Sequence, residues 1–180
     1  MPNKSLKRGM RQKAAAPPSF RVRRHRGIVM TSTALIGIAG VHYVVSELSR
    51  RGLIALPTVK NTKAYDIVAL NEEGTRHANI QVKASSKKAS FFPMPPPEKI
   101  RTGKMDYYVF VRWVEQEKRY EGFLLTGREA KRAVEGELAY QSLAYKRGTL
   151  KTFFHSVNIS KRNAKDASRW RTAWESWALE

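Results

Sequence analysis

Tyr65-Asp66-Ile67-Val68-Ala69-Leu70 and, a few residues on, His77-Ala78-Asn79-Ile80-Gln81-Val82-Lys83-Ala84 are two strand-like runs around which the fold is organised. The first is apolar except for Asp66. The second alternates, with Ala78, Ile80 and Val82 on one side and Asn79, Gln81 and Lys83 on the other, which is the period of a half-buried strand. Asn71-Glu72-Glu73-Gly74 between them has the composition of a hairpin turn. Two strands joined that tightly pair antiparallel.

Upstream, Leu53 to Thr58 reads as a third strand, connected through the turn segment Lys60-Asn61-Thr62-Lys63. Before it, a helix is predicted from Ser32 or Thr33 to Arg51, opened by a hydroxyl cap and closed by Gly52. Leu35, Ile38, Val41, Val45 and Leu48 share one face of it at helical spacing. Downstream, Ser85 to Ser90 is a polar, basic loop, and the proline-rich stretch Phe91 to Pro97 cannot be a central strand. Tyr107 to Val114 and Tyr120 to Leu125 are strands joined by a turn at Glu115 to Arg119. A helix starts near Thr126 and Gly127 and runs to about Leu138, and Gln141 to Lys151 fits helix or loop equally. Thr152 to Ile159 gives a last short strand. Ala164 to Leu179 gives a closing helix whose Trp170, Trp174 and Trp177 have core spacing. One helix, three close strands, then further strands and helices predict an α/β fold with a mixed β-sheet flanked by helices, not a doubly wound parallel one.

The 180 residues carry 34 Lys and Arg against 15 Asp and Glu, a net charge of +19. Like charges repel and add nothing to a fold, so a polyanionic partner is expected, with nucleic acid ahead of an anionic membrane surface. Residues 1–28 read as a flexible basic arm and residues 29–180 as a single domain. The first carboxylate in the chain is Glu47. Arg21, Arg23, Arg24 and Arg26 of the arm, with Lys60, Lys63, Lys87 and Lys88, are the expected phosphate contacts. The chain has no cysteine, which excludes disulfides and thiolate metal sites and fits a reducing, cytoplasmic setting. Gly27 to Ser46 lacks charge, but Thr31, Ser32, Thr33, His42 and Ser46 interrupt it. A half-buried helix is expected there and no membrane span.

Asp66 is the candidate for chemistry because a carboxylate in an apolar strand is costly without a partner. Gln81 and Lys83 lie on one strand face, and the hairpin can bring them to Asp66. Phosphodiester hydrolysis needs charge neutralisation and an activated water. Mg²⁺ or Mn²⁺ takes oxygen ligands, and Asp66, the Gln81 side-chain carbonyl and the Val82 main-chain carbonyl offer them. Lys83 would orient the water and offset developing charge. The bland alternative is a Lys83–Asp66 ion pair on the solvent side of a sheet. The histidines His25, His42, His77 and His155 have no metal-ligand spacing.

Gly40, Glu47-Leu48, Gly52, Pro57, Asn61-Thr62, Tyr65-Asp66-Ile67, Ile80-Gln81-Val82-Lys83-Ala84-Ser85 and Asp106 to Val111 together resemble the small PD-(D/E)XK endonucleases, over roughly residues 34–114. The resemblance implies a restriction-endonuclease-like fold and metal-dependent cutting of DNA or of DNA junctions. Asp66, Gln81 and Lys83 match the branch with Gln in place of the second acid. Analogy with cutters of duplex DNA adds a homodimer. The family's helix Glu, directly after a glycine, aligns with Val41, and Glu47 is the substitute if the register differs. His42 is expected to point away from the site. A catalytically degenerate binder of nucleic acid on the same scaffold is the second reading, and a basic, RNA-preferring structural protein the third.

Overall fold

In the computed structural model, residues 32–59, 65–85 and 91–179 are described. The elements run α1 (Thr33–Arg50), β1 (Ile54–Pro57), β2 (Ile67–Leu70), β3 (His77–Ser85), β4 (Phe91–Pro93), β5 (Asp106–Val114), β6 (Arg119–Thr126), α2 (Gly127–Lys146), β7 (Ser156–Asn158) and α3 (Ala164–Ser176). A five-stranded sheet has the order β1-β2-β3-β5-β6, and β4 with β7 forms a separate two-stranded ribbon. All the main pairings are antiparallel except β3 with β5, which is parallel. This is the expected mixed sheet flanked by helices.

The hairpin forms as its sequence predicts. Gly74 N–H donates to Asn71 O at 3.0 Å, and Gly74 has φ +69°, where a side chain would be strained. The alternation of β3 is also as read: Ala78, Ile80 and Val82 are buried, and Asn79, Gln81 and Lys83 half-buried. The apolar side of β3 packs with Ile67, Ala69, Val109 and Val111 beneath Val44 and Leu48 of α1. A second core on the other face joins Tyr108, Phe110, Phe123 and Leu125 to Ala130 and Val134 of α2 and to Phe92 and Val157 of the ribbon. The strand β5 is thus covered on both sides, as a near-continuous apolar run requires.

Two helices depart from expectation. The buried stripe of α1 is Gly40, Val44 and Leu48, while Leu35 and Ile38 are 55% and 48% exposed. The helix is rotated because Gly40 sits directly on Ala84 of β3, a contact that a larger residue would prevent. The helix α2 continues to Lys146, well beyond Leu138. Its start is held by a full capping box between Thr126 and Glu129. Its later turns bury Glu137 and Gln141 and leave Tyr140, Leu143 and Tyr145 exposed, so no apolar stripe marks them.

The closing helix α3 covers the β6 edge of the sheet. Trp170 enters one core and Trp174 the other, and Gly122 of β6 leaves the space that the Trp174 ring occupies. Buried Glu121 pairs with Arg112 across the strands and with Arg171 of α3 at 3.0 Å. Among the described residues no helix is long and apolar enough to cross a membrane.

Candidate active site

Asp66 is the residue just before β2, and both of its main-chain groups extend the sheet. Its N–H donates to Ile80 O and its carbonyl accepts from Thr58 N–H, each at 2.9 Å. Thr58 Oγ1 donates to Tyr65 O at 2.6 Å and pins the entry to the strand. The register pairs Ile67 with Ile80, so Asp66 stands opposite Gln81. The Gln81 Nε2 donates to Asp66 Oδ2 at 2.6 Å, and the Val82 N–H donates to the same oxygen at 2.7 Å. The two donors offset the cost of holding a half-buried carboxylate, and neither occupies Oδ1.

Lys83 lies two residues on from Gln81, on the same side of β3. It forms no ion pair with Asp66 or any other carboxylate among the described residues, so the surface ion pair does not form. This face of β3 is where the cover of α2 ends, since α2 packs over β5 and β6. On the opposite side of the strand, Asp66 and Val82 line an open groove of about 510 Å³ beneath α1, with Ala34, Gly37, Ile38, Val41 and His42 along its helix wall. Asp66 therefore stands where two surfaces meet. One carries Gln81 and Lys83, and the other is the groove under α1.

Val41 lines that groove. His42 also lines it, against the expectation that it points away. The turn of α1 about the Gly40–Ala84 contact brings positions 41 and 42 both to the groove. Glu47 is not brought to Asp66. It accepts from Arg50 at 2.9 Å and Arg51 at 3.3 Å and lines a separate groove with Tyr43, Tyr120 and Trp174. The Arg50 hydrogen bond foremost, with the charges of both arginines, holds its carboxyl below the ordinary range despite some burial. Arg21, Arg23, Arg24, Arg26, Lys60, Lys63, Lys87 and Lys88 lie outside the described residues.

A polar cluster that the sequence did not signal continues the row of Gln81 and Lys83. Asn79 Nδ2 donates to Asp106 Oδ1 at 3.3 Å, and Gly103 N–H donates to Asp106 Oδ2 at 2.8 Å. The Arg101 guanidinium lies 4.6 Å from the Tyr65 ring centre and 4.0 Å from the Asp106 carboxylate. Burial and then the Asp106 charge raise the Tyr65 phenol above its ordinary value, with Arg101 opposing. Arg101 thus sets a half-exposed cation beside the residue preceding Asp66. Nothing in the spacing of residues 65, 79, 101 and 106 marks them as neighbours, because only the parallel pairing of β3 with β5 brings Arg101 and Asp106 to the hairpin.

The donor set is oxygen-rich and poor in charge. Among the described residues no group of three or more His, Asp or Glu is placed to hold a metal ion. Asp66 supplies one carboxylate. The Gln81 amide presents its nitrogen to Asp66, and turning it over presents Oε1 instead. With one carboxylate and otherwise neutral oxygens, the set by itself would hold a hard cation only weakly.

The sequence matches no protein-family model and no curated protein. Among solved structures, a bacterial homing endonuclease is similar at a TM-score of 0.39 and 20% identity, over 55% of this chain and 68% of that one.

Proposed function

We propose that the chain is a metal-dependent DNA endonuclease or junction-processing phosphodiesterase of the PD-(D/E)XK type, working through Asp66, Gln81 and Lys83. The observation that best supports this is the Asp66 carboxylate, fixed by Gln81 Nε2 and Val82 N–H with Lys83 on the same strand face. A carboxylate, an amide and an ammonium gathered on one strand pair of a +19 chain match the needs of phosphodiester hydrolysis. Mg²⁺ or Mn²⁺, when bound at Asp66 with Gln81 and the Val82 main chain, supplies charge neutralisation and a more acidic water. The chain's own residues do the rest. Lys83 holds the attacking water by hydrogen bonding and offsets charge on the phosphoryl oxygens. Arg101 stands ready for a neighbouring phosphate. The basic arm with Lys60, Lys63, Lys87 and Lys88 tracks the backbone.

The test is cleavage of labelled duplex, branched and single-stranded DNA and of RNA, with Mg²⁺, Mn²⁺ or EDTA. Cutting of DNA that needs metal and disappears in Asp66→Ala and Lys83→Ala is the expected result. One observation favours a second reading, a binder whose chemistry has lapsed: Val41 gives the groove an apolar wall where the family's acid would stand. Tight, salt-sensitive binding without cutting in either metal would establish that reading and end the first.

A further inference from the structure

From Leu138 to Lys165 the chain has no carboxylate and carries six Lys and Arg. The same stretch holds Tyr140, Tyr145, Phe153 and Phe154, each between 41% and 53% exposed. Exposed aromatics in succession are unusual, and these are held in place. The buried Gln141 amide accepts from Phe154 N–H and donates to Phe154 O, both at 2.9 Å. Phe154 packs on Phe91, and Tyr145 on Phe153, with ring centres 5.1 Å apart in each pair. The Arg162 guanidinium lies 3.5 Å from the Tyr140 ring centre and is anchored by buried Glu137. The platform reaches back toward the candidate site. Phe92, next to Phe91, packs on Phe110 at 5.1 Å, and Phe110 is the cross-strand partner of Lys83.

We propose that this face binds single-stranded DNA, with unpaired bases stacked on Phe153, Phe154 and Tyr145 and phosphates on Lys146, Arg147 and Lys151. Rigid, exposed aromatic faces interleaved with cations are what a backbone with splayed bases requires. Charge decides against a second copy as the occupant. Another chain of +19 would bring an acid-free surface against an acid-free surface, whereas a nucleic acid strand neutralises it. The choice of DNA rests on the function proposed above. The site itself needs neither metal nor cleavage.

Fluorescence anisotropy of labelled oligo-dT, oligo-U and duplex DNA with the full chain in EDTA tests the proposal apart from any cutting. Phe153→Ala and Phe154→Ala are each expected to weaken oligo-dT binding about 5-fold or more while leaving duplex affinity near that of the native chain. Phe153→Trp should retain binding and Phe153→Leu should not, which separates stacking from general apolar contact. Lys146→Glu with Arg147→Glu should lower the salt dependence by about two phosphate contacts. Circular dichroism melts check that each variant is folded. Oligo-dT affinity unmoved by all the aromatic variants would overturn the proposal. So would aromatic variants that abolish self-association in sedimentation without changing oligo-dT binding. An effect confined to oligo-U would overturn the choice of DNA. Failure of the nuclease reading would show only in the cleavage panel.

Discussion

Gly40 of α1 and Ala84 of β3 touch so closely that a Cβ on the glycine would overlap the alanine side chain and stand 3.7 Å from the Ala84 Cα. This contact sets the helix on the sheet, and with it the wall of the groove beside Asp66. Gly40→Ala is expected to destabilise by about 1–3 kcal/mol through overpacking, offset in part by about 1 kcal/mol of helix propensity. Urea unfolding measures the net loss. Adding Ala84→Gly to that variant should recover much of it. A Gly40→Ala chain as stable as the native one would mean that the helix settles elsewhere without cost.

Gln81→Glu would set a second carboxylate directly across from Asp66. Without metal, like charges at opposed positions repel, and a loss of up to about 1 kcal/mol is expected. With Mg²⁺ the added acid becomes a ligand, so the variant's Tm should rise with Mg²⁺ more steeply than that of the native protein. Equal responses of the two proteins to Mg²⁺ would argue that no metal enters between residues 66 and 81.

Glu47 gives a pH dependence that belongs to the helix end and not to the candidate site. Its carboxyl lies below its ordinary value of 4.5, chiefly through the Arg50 hydrogen bond. A depressed carboxyl stabilises the fold above that ordinary value, and the contribution is lost as the pH falls through the lower folded value. Glu47→Gln should therefore flatten the acid side of the stability curve below about pH 4.5, and added salt should shrink the difference. Cleavage near neutral pH should not change. A marked loss of cutting in Glu47→Gln would return this residue to the chemistry.

The hairpin was legible because it is local. Asp66 and Gln81 are 15 residues apart on strands joined by a turn, so alternation and one glycine suffice to set them face to face. The neighbours contributed by β5 were not legible as neighbours. Asp106 meets Asn79 only through a parallel pairing whose register no local pattern records. The rotation of α1 was missed for a related reason. Its apolar residues spread round more than one face, and the deciding residue is a glycine, which carries no hydrophobic signal. The last turns of α2 invert the usual pattern, with Glu137 and Gln141 inside and Tyr140, Leu143 and Tyr145 outside. Only tertiary partners, Arg162 for Glu137 and the Phe154 main chain for Gln141, make that inversion affordable.

The β3–β5 pairing also sets an order in time. Its partner strand β2 lies one short turn away, and hairpins of this size close in about 1–10 μs. Its other partner is separated from it by residues 86–105, a longer connection that includes β4 and must close before β5 can pair with β3. The hairpin is thus expected to be ordered early in the folding transition, with β5 docking later. In a kinetic mutant series, Ala78→Gly should slow folding more than Val109→Ala does for the same loss of stability. Asp66 and Gln81 would then meet before β5 has paired with the other edge of β3.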